Sequence, residues 1–544
     1  MAEPGASDPF AVYNQPPLRD GIDLWHADPL LRSGVAAFSP DFAPGVMGFA
    51  ATLGQPGTVA AGHSLATSQR PVLQRFDTGG RRIETVAYPD AYHAFMTTGM
   101  GAGYAALPWT ASESGHAAHA AMVYLMSQVE PGVCCPMTMT YAAVPALLKG
   151  EGLAADLARR AMSARYDPAD VPVPQKQGAT IGMAMTEKQG GSDVRANLAQ
   201  AEPGDGGFFL FGHKWFCSAP MSDAFLTLAR RPEGLSCFVV PRRLPDGTLN
   251  AIHLMRLKDK LGNRANASAE IEYHGAYAQM LGEPGDGIRT ILEMVHHTRL
   301  DTSIAPAGLM RRALVEAHYW ARHRSVFGAP LIDQPLMRNV LADLTLEWAS
   351  AFLLAMRVAR AFDAAGRDPG EHAFARLAVA LAKYSNNKAC PAVVCEAMEC
   401  LGGMGYVEDT PVPWLYREAP LNAIWEGSGN VVCLDVLRTL SRLPRSAEIL
   451  LTELESARGA HPDFDTALVA LKDRLVSPIA EADARYLTGQ MALLLATALM
   501  IEHHPGPIAE TFAATRLGNA KGPTLGAFSR TVPVDAILTI VEAG

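Results

Sequence analysis

Several absences limit what this sequence can do. Its longest apolar run, residues 491–501, is too short to cross a bilayer and indicates a core helix. Its eight cysteines contain no paired zinc-type spacing, so we expect no metal site and mostly buried, reduced thiols. The net charge of −9 provides no overall attraction to nucleic acid or anionic membranes. The first nine residues are small and acidic, unlike a signal peptide, and we expect a cytoplasmic protein without a membrane partner.

What the sequence does contain is ample core-forming material. Apolar residues make up 49% and charged residues 19% of the 544 residues, as in globular proteins. A chain of this length suffices for three or four domains or for one large helical assembly.

The character of the sequence changes along the chain. Residues 23–165 are Ala-rich and show no strand alternation, which predicts helices. Short apolar runs and the turn signal Pro245–Gly247 predict a small all-β domain further on. Apolar residues then recur at three- and four-residue steps from Met337 to Ala359, which predicts a long bundle helix that ends before Gly366. We predict an extended arm (1–20), a helical domain (21–175), a β domain (176–283), a helical bundle (284–444) and an additional helical domain (445–544).

The order helical, β, helical, helical is not an alternating βα pattern. Gly403-Met-Gly405 also fails to continue as a dinucleotide-binding motif, because Glu408 stands where the third glycine is needed. A Rossmann site is therefore disfavoured.

The most informative stretch is Ile424-Trp-Glu-Gly-Ser-Gly-Asn430. Its glycines allow a tight turn and a close approach to a ligand, while Ser428 and Asn430 supply hydrogen bonds. Glu426 would be a base held against that ligand. Taken alone, the stretch is equally an ordinary polar turn between helices.

Three other stretches gain meaning beside it. Thr186–Asp193 offers hydroxyls and bare N–H groups on a glycine-rich loop, or is a solvated turn. Gly212–Ser218 alternates like a strand and ends in a hydroxyl, or places two aromatic residues in a β core. Arg324–Gly328 combines an arginine suited to a diphosphate with an aromatic residue, or is an exposed helix end.

Together, in this order, the four stretches resemble the acyl-CoA dehydrogenase family of flavoproteins. The resemblance implies the family's fold: a helical domain, a β-barrel-like middle domain and a helical bundle, here followed by an extra helical segment. It also implies FAD as cofactor, an acyl-CoA as substrate, a homotetramer, and Glu426 as the catalytic base.

The resemblance assigns roles residue by residue. Thr186 would bond the pyrimidine edge of the flavin and Ser192 its pyrophosphate, while Phe216 would lie against the ring with Ser218 near N5. Arg324 would reach the FAD of a neighbouring subunit. The implied FAD contacts are Met185, Thr186, Gly191, Ser192, Phe216, Cys217, Ser218, Arg324, Phe327, Ile424, Trp425, Gly427, Ser428 and Asn430. The implied substrate contacts are Arg299, Trp425 and Glu399.

A closer likeness connects the chain to the AidB branch of this family. It is carried by Thr186–Asp193, Leu257–Arg264, Pro335–Arg338, Cys135–Thr140 and Ile424–Asn430, and by the extra C-terminal segment. The branch implies a role in the response to DNA alkylation, weak dehydrogenase activity and a DNA-binding C-terminal domain.

Three positions depart from the common family pattern. Trp425 stands where many members have Tyr, and its larger ring would crowd the acyl pocket. Glu399 replaces a Gln and would add a carboxylate near the flavin-binding helices. His296 replaces an Asp found in some relatives.

The C-terminal segment bears directly on DNA binding. Residues 445–544 contain twelve acidic and eight basic residues, a net charge of −4, and Arg516, Lys521 and Arg530 are the expected basic cluster. We therefore expect at most weak binding of double-stranded DNA. Two alternatives stay open: a genuine short- or branched-chain acyl-CoA dehydrogenase with no DNA role, and a flavin-binding scaffold without turnover.

Overall fold

The structure, a computed structural model, describes residues 10–541. The N-terminal part is built mainly of helices, of which α6 and α7 are buried almost throughout. The helices are α1 (Pro29–Phe38), α2 (Ala43–Leu53), α3 (Pro56–Thr67), α4 (Asp90–Gly101), α5 (Leu107–Thr110), α6 (Gly115–Ser127), α7 (Cys134–Leu147) and α8 (Leu153–Ala161).

A β-hairpin interrupts these helices, so the prediction of an N-terminal region without strands is wrong. Strands β1 (Val72–Phe76) and β2 (Arg82–Ala87) pair antiparallel; β1 alternates between exposed and partly buried positions, whereas Glu84 and Val86 of β2 are buried. The hairpin belongs physically to the β domain, because Leu254 N donates to Glu84 Oε2 (2.8 Å). Short strands with charged residues on both faces lack the apolar alternation that reveals a strand.

The middle domain is a barrel-like sheet, as predicted. Strand β6 pairs with β7, β7 with β9, β9 with β5 and β5 with β4, and one pair between β4 and β6 closes the path. The strands are β3 (Ile181–Ala184), β4 (Gln200–Gly204), β5 (Gly207–Ser218), β6 (Ala224–Arg231), β7 (Gly234–Pro241), β8 (Ile252–Leu257) and β9 (Ser268–Leu281).

Long helices form the bundle that follows. The predicted stripe lies on α10, where Leu341, Leu344, Trp348 and Phe352 are fully buried. Helix α11 runs on through Pro391 without a break. The elements are α9 (Gly287–His323), β10 (Ser325–Val326), β11 (Ala329–Pro330), α10 (Pro335–Ala364), α11 (Pro369–Cys400), α12 (Val412–Glu418) and α13 (Gly429–Arg442).

The C-terminal segment packs on this bundle, chiefly through α16 against α10 and α11. Helices α10 and α16 are long and apolar enough to span a bilayer, but 83% and 67% of their most apolar windows are buried inside the protein. Their apolar character is thus explained by packing. The helices of the segment are α14 (Arg445–Glu455), α15 (Pro462–Leu475), α16 (Ala484–His503), α17 (Pro507–Arg516) and α18 (Val534–Leu538).

The expected basic cluster of this segment is not a free surface. Arg516 Nη2 lies 3.0 Å from Glu347 Oε1 and also contacts Asp343, and Lys521 Nζ lies 3.0 Å from Asp343 Oδ2. Asp343 is fully buried. The prediction is therefore wrong for Arg516 and Lys521, because their charges neutralise carboxylates of α10; Arg530 alone of the three is exposed.

Candidate active site

The loop that carries Glu426 joins a short 3-10 turn at Leu421–Ala423 to helix α13. Glu426 has φ +58° and Gly427 has φ +100°, so two successive residues adopt left-handed backbone. Glycine accepts this conformation freely, whereas it costs a residue with a Cβ about 1–2 kcal/mol. The loop therefore carries strain at the residue predicted to be the base.

The Glu426 side chain is partly buried, and its carboxyl group has one side-chain partner. Thr298 Oγ1, on α9, donates to Glu426 Oε2 (2.8 Å). Burial raises the pKa of Glu426, while the hydrogen bond from Thr298 and the charges of Lys383 and Arg299 act in the opposite direction. A partly buried carboxyl with a raised pKa and few partners is suited to general-base chemistry.

Two buried cations hold the backbone of the loop. Arg299 Nε donates to Glu426 O (3.2 Å), and Arg299 Nη1 is itself held by Asp435 Oδ2 on α13 (2.5 Å). Lys383 Nζ, from α11, donates to Gly427 O (2.8 Å) and to Asn422 O (3.0 Å). Three helices thus converge on a loop of a few residues.

The Thr186–Asp193 loop is anchored from inside the barrel. Glu187 and Lys214 are both buried and form an ion pair (2.9 Å), and Glu187 also accepts from Leu198 N and Ala199 N. Gly191 packs so closely that an added Cβ would collide with the Thr186 side chain. The anchored loop leaves its glycines and hydroxyls facing outward.

The other members of this predicted set lie beside that anchor. Met185 O accepts from Asn197 Nδ2 (2.8 Å), and Thr186 O accepts from Trp215 N (2.7 Å). Ser192 is exposed. The Thr186 and Ser192 hydroxyls make no hydrogen bond to any other residue between 10 and 541, so both are available to a ligand.

The end of strand β5 presents one aromatic ring to the outside. Phe216 is 48% exposed, whereas Cys217 is fully buried in the barrel core. The Ser218 hydroxyl lies 3.0 Å from Ser268 Oγ on β9. A solvent-facing ring next to a hydroxyl forms a surface against which a planar ligand could lie.

Cys135 lies at the start of α7 and is buried. Burial raises the pKa of its thiol to about 12, while the charge of Lys260 opposes the shift and that of Glu426 adds to it. Helix α7 packs against β3 of the barrel and against α9 of the bundle, so the three parts of the protein meet along this helix.

The Arg324–Gly328 stretch lies at the end of α9 and points away from the chain. Arg324 Nη1 donates to Asn14 O (2.9 Å) in the N-terminal arm. Phe327 is fully exposed and has φ +52°. Its hydrogen bonds thus tie this stretch to the arm.

Of the remaining predicted site residues, some form hydrogen bonds within the protein and others are exposed. Trp425 Nε1 donates to Asn422 Oδ1 (2.7 Å), which turns the ring across the loop. Arg299 is committed to Asp435 and to the backbone of the loop. Ile424 is 65% exposed. Ser428, Asn430 and Glu399 are also exposed.

Sequence reasoning missed several residues that hold the site together, namely Thr298, Lys383, Asp435 and the pair Glu187 and Lys214. One signal was available: Lys383 is a charged residue that directly follows the apolar run Leu377–Ala382. The other partners are distant in sequence and carry no local pattern. Within residues 10–541, no group of three or more His, Cys, Asp or Glu side chains is placed to hold a metal ion.

This architecture is that of the acyl-CoA dehydrogenase fold. The structure of Caenorhabditis elegans ACDH-11 in complex with C11-CoA matches with a TM-score of 0.85 at 27% identity, covering 95% of each chain. The butyryl-CoA dehydrogenase of Megasphaera elsdenii shares the fold at 20% identity with a TM-score of 0.59, covering 74% of this chain and 98% of its own.

Sequence comparison agrees with the fold. Residues 14–168 match the AidB N-terminal domain of adaptive response proteins, 182–276 the acyl-CoA dehydrogenase middle domain and 285–441 its C-terminal domain. The AidB protein of Escherichia coli (strain K12) is 43% identical over 94% of this chain and 95% of its own. Acyl-CoA dehydrogenase family member 11 of Caenorhabditis elegans is 32% identical over 80% of this chain and 76% of its own.

The chain therefore belongs to the acyl-CoA dehydrogenase family and is AidB-like. It is an acyl-CoA oxidoreductase of a family of flavoproteins.

Proposed function

We propose that this protein is an FAD-dependent dehydrogenase that removes an α-proton from an acyl-CoA thioester, with Glu426 as the base. The observation that carries the proposal is the placement of the Glu426 carboxyl. It is partly buried, hydrogen-bonded to Thr298, and held on a left-handed backbone beside two cations. A structural turn would not require this combination of burial, strain and charge.

The chain's surfaces fit FAD. The exposed Phe216 ring, the neighbouring Ser218 and the free hydroxyls of Thr186 and Ser192 would hold the flavin and its pyrophosphate. Arg324 and the exposed Phe327 would contact the FAD of a neighbouring subunit in a homotetramer. When bound, FAD supplies the acceptor for the hydride that leaves the β-carbon.

The residues in and around the Glu426 loop have separate roles in removing the α-proton. The ionised Glu426 accepts the α-proton, and Thr298 orients its carboxylate. The Gly427 N–H makes no hydrogen bond to another residue of the described range, so it is available to the thioester oxygen as charge develops there. Arg299 and Lys383 keep the loop in place and add positive charge around it.

A thioester substrate is supported by the Caenorhabditis elegans relative, whose structure is a complex with C11-CoA. Trp425 limits the acyl group that fits, because its ring is fixed to Asn422 across the loop. Short, branched and long chains therefore differ in how well they pass Trp425.

An anaerobic titration of the FAD-loaded protein with acyl-CoAs of four to twelve carbons tests the proposal. We expect substrate to bleach the flavin absorbance, and Glu426→Gln to keep the flavin but slow bleaching by about 10²–10⁴-fold, the usual contribution of a positioned base. Glu502→Gln is the matched control at an exposed carboxyl on α16. Unchanged bleaching in Glu426→Gln would rule out Glu426 as the base, and no bleaching by any acyl-CoA would favour a scaffold without turnover.

A second role, in the response to DNA alkylation, is favoured by the match of residues 14–168 to the AidB N-terminal domain. The charge of the C-terminal segment argues against tight DNA binding, since it is net acidic and Arg516 and Lys521 already neutralise Asp343 and Glu347. We therefore propose weak, salt-sensitive and sequence-independent binding of double-stranded DNA.

A further inference from the structure

Lys383 is buried without a carboxylate in contact. It is 1% exposed, and none of the described residues places a carboxylate oxygen within 4.0 Å of its Nζ. The buried lysines Lys176 and Lys214 each have such a partner, Asp223 at 3.0 Å and Glu187 at 2.9 Å. Burying an unpaired ammonium is costly, so its retention calls for a reason beyond packing.

The contacts of the ammonium supply that reason. Its two hydrogen bonds go to Asn422 O (3.0 Å) and Gly427 O (2.8 Å), the two ends of the segment that carries Glu426. The Lys383 ammonium thus connects both ends of the loop to helix α11. The side chain of Asn422 in turn accepts from Trp425 Nε1 (2.7 Å), a contact within the same loop.

The backbone between these two carbonyls is strained, because Glu426 and Gly427 both have positive φ. A strained residue keeps its conformation only where its surroundings hold it there. Arg299 holds Glu426 O from the α9 side, and Lys383 holds Gly427 O from the α11 side. Without Lys383, the loop could relax and draw the carboxyl away from Thr298.

We propose that Lys383 is a positioning residue for proton abstraction: its ammonium clamps Asn422 O and Gly427 O, keeps Glu426 against Thr298, and favours the ionised form of the base by its charge. This inference rests on the proposed function in treating Glu426 as the base.

Lys383 can keep its hydrogen bonds to the two carbonyls even when it loses its positive charge. Burial lowers the pKa of Lys383 to about 7, with the nearby charge of Arg299 acting the same way, Glu426 opposing and Lys388 adding to the shift. A neutral amine still has two N–H donors, enough for both carbonyls, so loss of the proton removes the charge and leaves the clamp. Asp435, through Arg299, is the other charge that faces this loop.

Lys383→Met and Lys383→Arg in the FAD-loaded full-length protein test the proposal. Methionine keeps the length of the side chain but removes the donors and the charge, whereas arginine keeps both. Lys472→Met is the matched control, because Lys472 forms a surface ion pair with Glu455. Flavin absorbance and thermal unfolding first establish that each variant is folded and loaded.

The kinetic readout is the rate of flavin bleaching by an eleven-carbon acyl-CoA as a function of pH. We expect Lys383→Met to slow bleaching at saturating substrate about 100-fold, the effect of a misplaced catalytic group, with the half-saturating concentration nearly unchanged. Its rate should also rise only at higher pH than in the wild type, because the charge that favours ionised Glu426 is gone. Lys383→Arg should keep the wild-type pH profile.

The second readout does not depend on turnover. Amide hydrogen exchange of residues 422–428 should be about tenfold faster in Lys383→Met, and unchanged in the Lys472→Met control. If the wild type is not bleached by any acyl-CoA, the proposed function fails, and hydrogen exchange alone decides the clamp. Unchanged exchange in Lys383→Met, or a wild-type pH profile in that variant, would overturn the proposal.

Discussion

Two loops of this protein share an uncommon backbone in very different surroundings. In each, a residue with a side chain and positive φ precedes a glycine with positive φ: Glu426 (58°) and Gly427 (100°), Phe327 (52°) and Gly328 (82°). The inner pair is clamped by buried cations. The outer pair is the two-residue turn between β10 and β11: Phe327 is fully exposed, and no atom of residues 10–541 lies within 4 Å of a Cβ added at Gly328.

The difference shows where each loop obtains its support. Left-handed backbone at a residue with a Cβ persists when its surroundings over-determine it. Contacts within one chain do so for the inner loop. The outer loop is held by the pairing of β10 with β11, by Gln334 Nε2 donating to Val326 O (3.2 Å), and by the contacts of Arg324 and Ser325 with Asn14 of the arm. Its fully exposed Phe327 ring accords with our proposal that a second copy of the chain completes it.

The inner loop is most sensitive to the loss of Asp435. This buried carboxylate holds Arg299 (2.5 Å) and Arg376 (2.9 Å). Asp435→Ala leaves a buried guanidinium unpaired, and we expect it to lower the free energy of unfolding by about 3–5 kcal/mol, measured by urea denaturation. Asp535→Ala, which removes the exposed partner of Arg338, should cost at most about 1 kcal/mol.

The effect of Asp435 should also depend on pH. Burial raises the pKa of Asp435, but Arg299 and Arg376 together hold it well below its usual range. A carboxyl with a depressed pKa stabilises the fold above its unfolded-state value and loses that contribution as the pH falls through the folded-state pKa. The difference between wild type and Asp435→Ala should therefore persist at neutral pH and shrink only in strong acid. Equal stabilities at neutral pH would contradict the proposed support.

The outer loop should matter for the cofactor rather than for the fold. We expect Arg324→Ala to weaken FAD retention about 10- to 150-fold, equivalent to about 1.5–3 kcal/mol for a charge-assisted contact. Flavin fluorescence during titration of the apoprotein measures this. Arg289→Ala, at an exposed position on the same helix, is the control. Equal FAD affinity in both variants would break the comparison.

Phe327→Gly distinguishes the backbone strain at this position from a role of the Phe327 side chain in self-association. Glycine relieves a left-handed strain of about 1–2 kcal/mol and gives back part of it as backbone entropy, so the chain should be unchanged or slightly more stable. Self-association, followed by light scattering across protein concentrations, should weaken. Phe327→Asn, which also tolerates this backbone, should behave alike. A clear loss of chain stability with unchanged association would show that the loop is supported from within.

The smallest effect is expected from the C-terminal basic residues on DNA binding. Arg516→Ala should leave the affinity for duplex DNA unchanged, because its charge is already neutralised by Asp343 and Glu347. Fluorescence anisotropy at about 50 and 200 mM salt covers the range in which phosphate contacts weaken. Tight binding that persists at the higher salt, or its loss in Arg516→Ala, would contradict this reading of the surface.

Much of the fold was accessible from local patterns. The apolar stripe on α10 and the short strands of the barrel follow from side-chain periodicity, and both occur as predicted. The hairpin Val72–Ala87 could not be predicted in this way, since its strands are short and carry charged residues on both faces. Its partner Leu254 lies far along the chain, beyond the reach of any local pattern.

Local sequence fixes which chemical groups are available and in what kind of turn or strand they stand. The Glu-Gly-Ser turn, the glycine-rich Thr186 loop and the aromatic end of β5 are all readable there, because turn geometry and hydrogen-bonding capacity depend on neighbouring residues. Long-range packing sets which charged side chains are neutralised inside the protein and which stay available to ligands. Lys383 became a clamp and Arg516 an internal counter-ion because α11 meets the Glu426 loop and α17 meets α10, and the free energy of a charge depends on burial and partners rather than on residue type.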